Sequence, residues 1–156
     1  MSTNPIRRVG CGLAVVALCA TLNVVVSAQA PASPAASLPP AVLKAFQQAY
    51  PGASISGTSQ ERDAGRTVFR VNSADKGRRR VVIYDPSGTV IEIRDQVEER
   101  DLPKPVADAM HKHPRAIYGS GMRVTRGKMV HYELAVRGTR RKLMIAKPDG
   151  TVVSFE

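Results

Sequence analysis

Few residues in this chain have side chains that could hold a metal ion or activate a nucleophile, and their spacing suits neither task. His111-Lys112-His113 is the one metal-like cluster. Side chains at i and i+2 leave a helix on different sides, and a histidine near a helix C-terminus is more simply explained by the negative end of the dipole. Asp85, Asp95, Glu98, Glu99 and Asp101 could suggest paired carboxylates, but the second half of the chain places Lys147 where the first has Asp85. Asp149 reads as a turn residue, because no further oxygen ligands follow it at calcium-loop spacing. Ser54, Ser56, Ser59, Ser73 and Ser87 lie in no nucleophile elbow and have no histidine nearby in sequence. The expectation is therefore a protein that is not an enzyme, with no catalytic residue, no metal and no cofactor.

What the sequence does announce is a duplication. Leu38-Pro39-Pro40-Ala41-Val42 returns 64 positions later as Leu102-Pro103-Lys104-Pro105-Val106. Tyr50-Pro51 answers His113-Pro114, Val68-Phe69-Arg70-Val71 answers His131-Tyr132-Glu133-Leu134, and Arg78-Arg79-Arg80-Val81-Val82-Ile83 answers Arg140-Arg141-Lys142-Leu143-Met144-Ile145. Pro86-Ser87-Gly88-Thr89-Val90 then matches Pro148-Asp149-Gly150-Thr151-Val152. The offset drifts from 64 to 62, as single deletions in loops would produce, so a unit of about sixty residues is used twice. The expected repeats are residues 38–101 and 102–156.

Ahead of them, Arg7-Arg8, an apolar run from Val9 to Val26 and the small residues Ser27-Ala28-Gln29-Ala30 read as a secretory signal peptide over residues 1–30. Cleavage after Ala28 or after Ala30 both fit. Residues 31–37, Pro-Ala-Ser-Pro-Ala-Ala-Ser, lack the apolar bulk to offset their ordering entropy and read as a flexible tether. Cys11 and Cys19 both fall in the leader, so the exported part would carry no thiol. The expected destination is the periplasm or the medium.

The chain has 23 basic and 13 acidic residues, a net charge of +10, and loss of Arg7 and Arg8 with the leader lowers this to +8. Such a charge attracts acidic partners, anionic polymer or lipid; it equally suits solvated turns and edges that keep a sheet soluble. Nucleic acid is disfavoured, since no tryptophan is present and no aromatic stacking motif interleaves with the bases.

Each repeat shows one helical stripe and then a period of two. Val42, Leu43, Phe46, Ala49 and Tyr50 share one helix face between Pro40 and Pro51; Val106, Ala109, Met110 and His113 share the other between Pro105 and Pro114. Strands follow, the first over Ser54 to Glu61 and Ile117 to Thr125, and the last two of each repeat joined by the Pro-x-Gly turns. Alternation assigns Phe69, Val71, Val81, Ile83, Ile91 and Ile93 to the apolar face of the first repeat. In the second it assigns Tyr132, Leu134, Val136, Leu143, Ile145, Val153 and Phe155. The fold class is α+β, two tandem helix-plus-antiparallel-sheet units with the helices on one sheet face and the other open. The alternating residues Arg70, Arg80, Val82, Tyr84, Glu92, Arg94, His131, Glu133, Lys142 and Met144 are the candidate protein-binding face. A plain solvated sheet face is the other reading.

The duplicated Leu-Pro-x-x-Val helix start, the helix ending before proline and the Pro-x-Gly-Thr-Val hairpin, behind a signal peptide, resemble the PepSY-like family of secreted bacterial proteins. That family is also labelled beta-lactamase-inhibitor-like. The matching residues are Leu38, Pro39, Val42, Gly88, Leu102, Pro103, Val106 and Gly150, all fold determinants. The resemblance implies export and non-catalytic protein binding in the cell envelope, with inhibition or regulation of a peptidase or related enzyme. The alternative is a basic envelope module that binds anionic polymer or lipid as a sensor or scaffold.

Overall fold

A computed structural model describes residues 37–113, 115–138 and 142–156. The leader, nearly all of the tether, Pro114, Arg140 and Arg141 lie outside the described residues. Helix α1 (Pro40–Ala49) precedes strands β1 (Ser54–Asp63), β2 (Arg66–Asp75), β3 (Arg78–Tyr84) and β4 (Val90–Val97). A 3-10 turn at Glu99–Asp101 leads to helix α2 (Lys104–His111) and strands β5 (Ile117–Arg126), β6 (Met129–Arg137), β7 (Lys142–Ala146) and β8 (Val152–Phe155). The strands form one antiparallel sheet in sequence order, β1 to β8, and β4 pairs with β5 to make it continuous.

Both helices begin where proline permits. Pro39 and Pro103 are the residues before the first turns, and Pro40 and Pro105 sit within them, where the missing N–H would have no partner in any case. α1 closes with Tyr50 N–H donating to the Phe46 carbonyl at 2.9 Å. α2 ends at His111, before the expected boundary, so His113 lies beyond the helix and stacks on Phe155 with centroids 3.9 Å apart.

Two apolar clusters join helices to sheet. Val42 and Phe46 of α1 pack with Phe69, Val71, Val82 and Tyr84; Val106 and Met110 of α2 pack with Tyr132, Leu134, Val136, Met144 and Ala146. Directly opposite residues in a ladder share a face. The row Arg80, Asp95, Arg123, Tyr132, Ala146 therefore runs along the side of the sheet that carries α2. Arg80 lies 4.3 Å from the ring of Tyr50, at the end of α1, so both helices cover the same face.

The alternation in β3 and β7 has the opposite phase to the one expected. Val71 pairs with Val82 and Leu134 with Met144, which puts Val82, Tyr84 and Met144 in the core, all at 0% exposure. Val81, Ile83, Leu143 and Ile145 turn to the helix-free side. The cause is that β3 is buried on both faces from Val81 to Tyr84, so its apolar run carries no phase of its own. In β7, Leu143-Met144-Ile145 is ambiguous for the same reason.

Candidate functional site

The face opposite the helices is built from β2, β4, β5 and β6 positions that carry long charged side chains between short aliphatic ones. Across the sheet, Arg70 stands opposite Ile83, Ile83 opposite Glu92, Val81 opposite Arg94, Arg94 opposite Val124, and Val124 opposite His131. Among the described residues no helix packs here. Yet Val68, Val81, Ile83 and Val124 are buried. Arg70 and Arg94 stand directly beside Ile83, Val81 and Val124 in the ladder, and the methylenes of such a side chain can cover apolar surface while its guanidinium stays wet.

The charged heads form a chain of ion pairs. Glu92, only 3% exposed at its side chain, accepts from Arg94 Nε at 2.5 Å on Oε1 and from Arg126 Nε at 2.9 Å on Oε2. Arg94 reaches on to Glu133 Oε2 at 3.1 Å, and His131 Nε2 lies 3.3 Å from Glu133 Oε1. At the first edge, Arg70 grips both oxygens of Glu61 at 2.7 and 3.1 Å, and Ser59 donates to Oε1 at 2.8 Å. This bidentate pair fixes geometry as well as charge.

Burial pushes the Glu92 carboxyl up, but the hydrogen bonds from Arg94 and Arg126 outweigh it and hold the group below its ordinary value of 4.5. The hydrogen bond from Arg70 is the main cause of a similar depression at Glu61. A depressed folded pKa stabilises the fold above the unfolded value, and that contribution disappears as pH falls through the folded value. Glu92→Gln is therefore expected to cost about 2 kcal/mol at neutral pH, since two arginines lose their shared carboxylate. Urea titrations between pH 7 and pH 3 should show the difference from wild type shrinking below pH about 4.5. A difference independent of pH would refute the role given to the carboxylate charge.

Of the ten candidate residues, the structure brings Arg70, Glu92, Arg94, His131 and Glu133 together on this face. Val82, Tyr84 and Met144 are core residues instead. Arg80 and Lys142 are on the helix side, Arg80 paired with Asp95 at 2.5 Å and Lys142 over the Phe155 ring at 5.0 Å. Sequence reasoning missed Arg126, which completes the Glu92 pair, and it assigned Ile145 and Val153 of the apolar strip beside it to the buried face, whereas both line the surface. Met129 and Val153, at 67% and 60% exposure, line a concavity of about 700 Å³ with Ile145, His131 and Lys147. A methionine just after a hairpin turn and a valine on the last strand both point outward, a signal legible only once register is known.

The remaining chemistry-bearing residues do not converge. His111 Nε2 lies 3.0 Å from Glu99, while His113 is engaged with Phe155. Among the described residues no group of three or more His, Cys, Asp or Glu side chains is placed to hold a metal ion. No helix among them is long and apolar enough to cross a membrane. Asp85 and Asp149 each accept backbone N–H groups within their own turns, at 2.9 and 2.8 Å.

The sequence matches no family model and no curated protein. The fold does match solved structures. A protein from Bacteroides eggerthii described as periplasmic superimposes with a TM-score of 0.64 at 15% identity, over 76% of this chain and 88% of its own. A DUF2874 family protein from Bacteroides ovatus gives 0.61 at 18% identity, over 77% and 87%. A BLIP-like protein from Bacteroides fragilis gives 0.57 at 13% identity, over 83% and 88%. The chain thus has the fold of the DUF2874 and BLIP-like proteins, an α+β arrangement with one face of an antiparallel sheet left uncovered.

Proposed function

We propose that this chain is an exported, non-enzymatic protein-binding module of two tandem PepSY-like repeats, and that it docks its partner on the helix-free sheet face. The observation that carries this reading is the pairing, on one face, of a pre-assembled ion-pair chain with an exposed apolar strip. Interfaces need desolvated apolar anchors surrounded by polar groups already held in place. Here Met129, Ile145 and Val153 supply the anchors, and Arg94, Arg126, Glu133 and His131 the ordered surround. The likeness to a BLIP-like protein and to one described as periplasmic supports export and protein recognition, with an envelope enzyme such as a peptidase as the partner to be inhibited or regulated.

The test is capture of envelope proteins on the immobilised chain, washed at low and then molar salt, beside a Met129→Asp/Val153→Asp variant. Both residues are exposed, so the variant should fold. One protein held by wild type through the molar wash and released by the variant is the expected result. Retention of anionic polymer or lipid alone, lost as the Debye length falls to about 3 Å, would favour the basic-module reading instead.

A further inference from the structure

The apolar strip contains a sulfur atom. Met129, the first residue of β6, is 67% exposed and lines the concavity of about 700 Å³ with Ile145 and Val153. Its ladder partner is Arg126, so it shares the helix-free face with Arg126 and His131. The other methionines are placed differently. Met110 and Met144 are wholly buried where α2 packs on the sheet, and Met122 is half-buried on β5. Met1 lies outside the described residues. Both cysteines, Cys11 and Cys19, precede residue 37, so the described residues offer an oxidant no thiol, and Met129 is their most accessible sulfur.

A thioether makes a good anchor because it is apolar and adaptable, and it reacts with peroxides because its sulfur lone pairs are nucleophilic. Attack on one oxygen of hydrogen peroxide forms an S–O bond as the O–O bond breaks. The sulfur gives up two electrons, and the other oxygen leaves as water after taking the proton of the transferred hydroxyl. The product, methionine sulfoxide, is polar, and burying its oxygen under a partner costs free energy unless a donor meets it. Exposure governs which thioether reacts, so the fold shields Met110 and Met144.

We infer that Met129 is an oxidant-sensitive modification site, and that its conversion to the sulfoxide by hydrogen peroxide releases the partner from the helix-free face. Oxidation at Met129 follows from its exposure, whereas its effect on the partner rests on the docking reading proposed above. The oxidised concavity holds a polar oxygen beside Ile145 and Val153 where an apolar contact stood. One desolvated apolar anchor corresponds to about a tenfold change in affinity. Enzymatic reduction of the sulfoxide restores the thioether, which makes the change reversible. Because the core methionines are untouched, binding falls while the fold persists.

The experiment exposes the purified protein to hydrogen peroxide, removes the excess with catalase and maps sulfoxides by peptide mass spectrometry. Met129 is expected to oxidise first, ahead of Met122, with Met110 and Met144 unmodified until the chain is unfolded in urea. Immobilised chain treated in the same way then captures envelope proteins, and the protein retained through a molar-salt wash is quantified. A fall of about tenfold is expected for wild type, reversed by methionine sulfoxide reductases A and B. With each variant compared to its own unoxidised level, Met129→Leu should show no fall and Met122→Leu the wild-type one. Thermal melts of the oxidised protein and of each variant check that the fold persists. Equal oxidation of Met122 and Met129 in the folded chain, or a fall that persists in Met129→Leu, would overturn the site. Capture lowered by Met129→Asp/Val153→Asp but not by peroxide would overturn the switch and leave the docking face standing; capture indifferent to both would remove the two together.

Discussion

Gly150→Ala is expected to destabilise the protein by about 3 kcal/mol or more, from left-handed backbone strain and a steric collision together. Gly150 has φ +85°, and a Cβ there would stand 2.5 Å from the carbonyl oxygen of Pro105 and 2.9 Å from its Cβ. Neither neighbour is a flexible side-chain tip. The turn is locked as well, by Lys147 N–H to the Thr151 carbonyl and Gly150 N–H to the Lys147 carbonyl, each at 2.9 Å. The hairpin between β7 and β8 therefore presses its glycine onto the first turn of α2. Gly88 does the same in the first half, with φ +87° and a Cβ position 2.7 Å from the Ala41 carbonyl oxygen in α1. Gly88→Ala should cost a similar amount. Urea unfolding followed by circular dichroism measures both; a loss below about 1 kcal/mol at either glycine would show that the turn can retreat from its helix.

These two contacts explain why the matching residues Leu38, Pro39, Val42 and Gly88, with Leu102, Pro103, Val106 and Gly150, stand out in the sequence. The prolines start a helix, the leucine and valine bury its first turn, and the glycine allows the last hairpin to approach it. Helix positions, hairpins and the strand character of each segment were legible because each has local chemistry: proline at a helix start, glycine in a turn, alternation along β2 and β6. Phase in β3 was not, because apolar residues on both sides erase alternation. Its register was nonetheless encoded in the turn Lys76-Gly77, whose φ values of +49° and +78° make a two-residue loop pairing Asp75 with Arg78. Counting back from that pair places Val82 opposite Val71 and Tyr84 opposite Phe69. Tyr84 accordingly carries its hydroxyl into the core, without a hydrogen-bond partner among the described residues, and burial pushes its pKa up to about 12. For β7 no such count was available, since the connection from β6 is longer than a two-residue turn. The ion-pair chain was legible only in part: Arg70, Glu92, Arg94, His131 and Glu133 stood out by alternation, whereas the reach of Arg126 to Glu92 depends on β4 and β5 being neighbours across the two halves.

Truncation of Met144 should separate the two phases of β7 by a wide margin. Met144 is wholly buried among Met110, Leu134 and Tyr132 beneath α2, so Met144→Ala is expected to cost about 3 kcal/mol through lost burial and the cavity left behind. Leu143, one residue earlier, is 43% exposed on the helix-free face, and Leu143→Ala should cost no more than about 0.5 kcal/mol. Strict alternation with Leu143 and Ile145 inside predicts the reverse order. Urea midpoints at constant m-value decide between them, and a greater loss at Leu143 would invert the sheet face assigned to every β7 side chain. The same pair links stability to recognition. Leu143 lies on the face proposed to dock a partner, so Leu143→Asp should weaken capture while leaving the midpoint almost unmoved. Met144→Ala should do the opposite at temperatures where the fold survives, because its side chain supports the sheet from the helix side and never meets the partner.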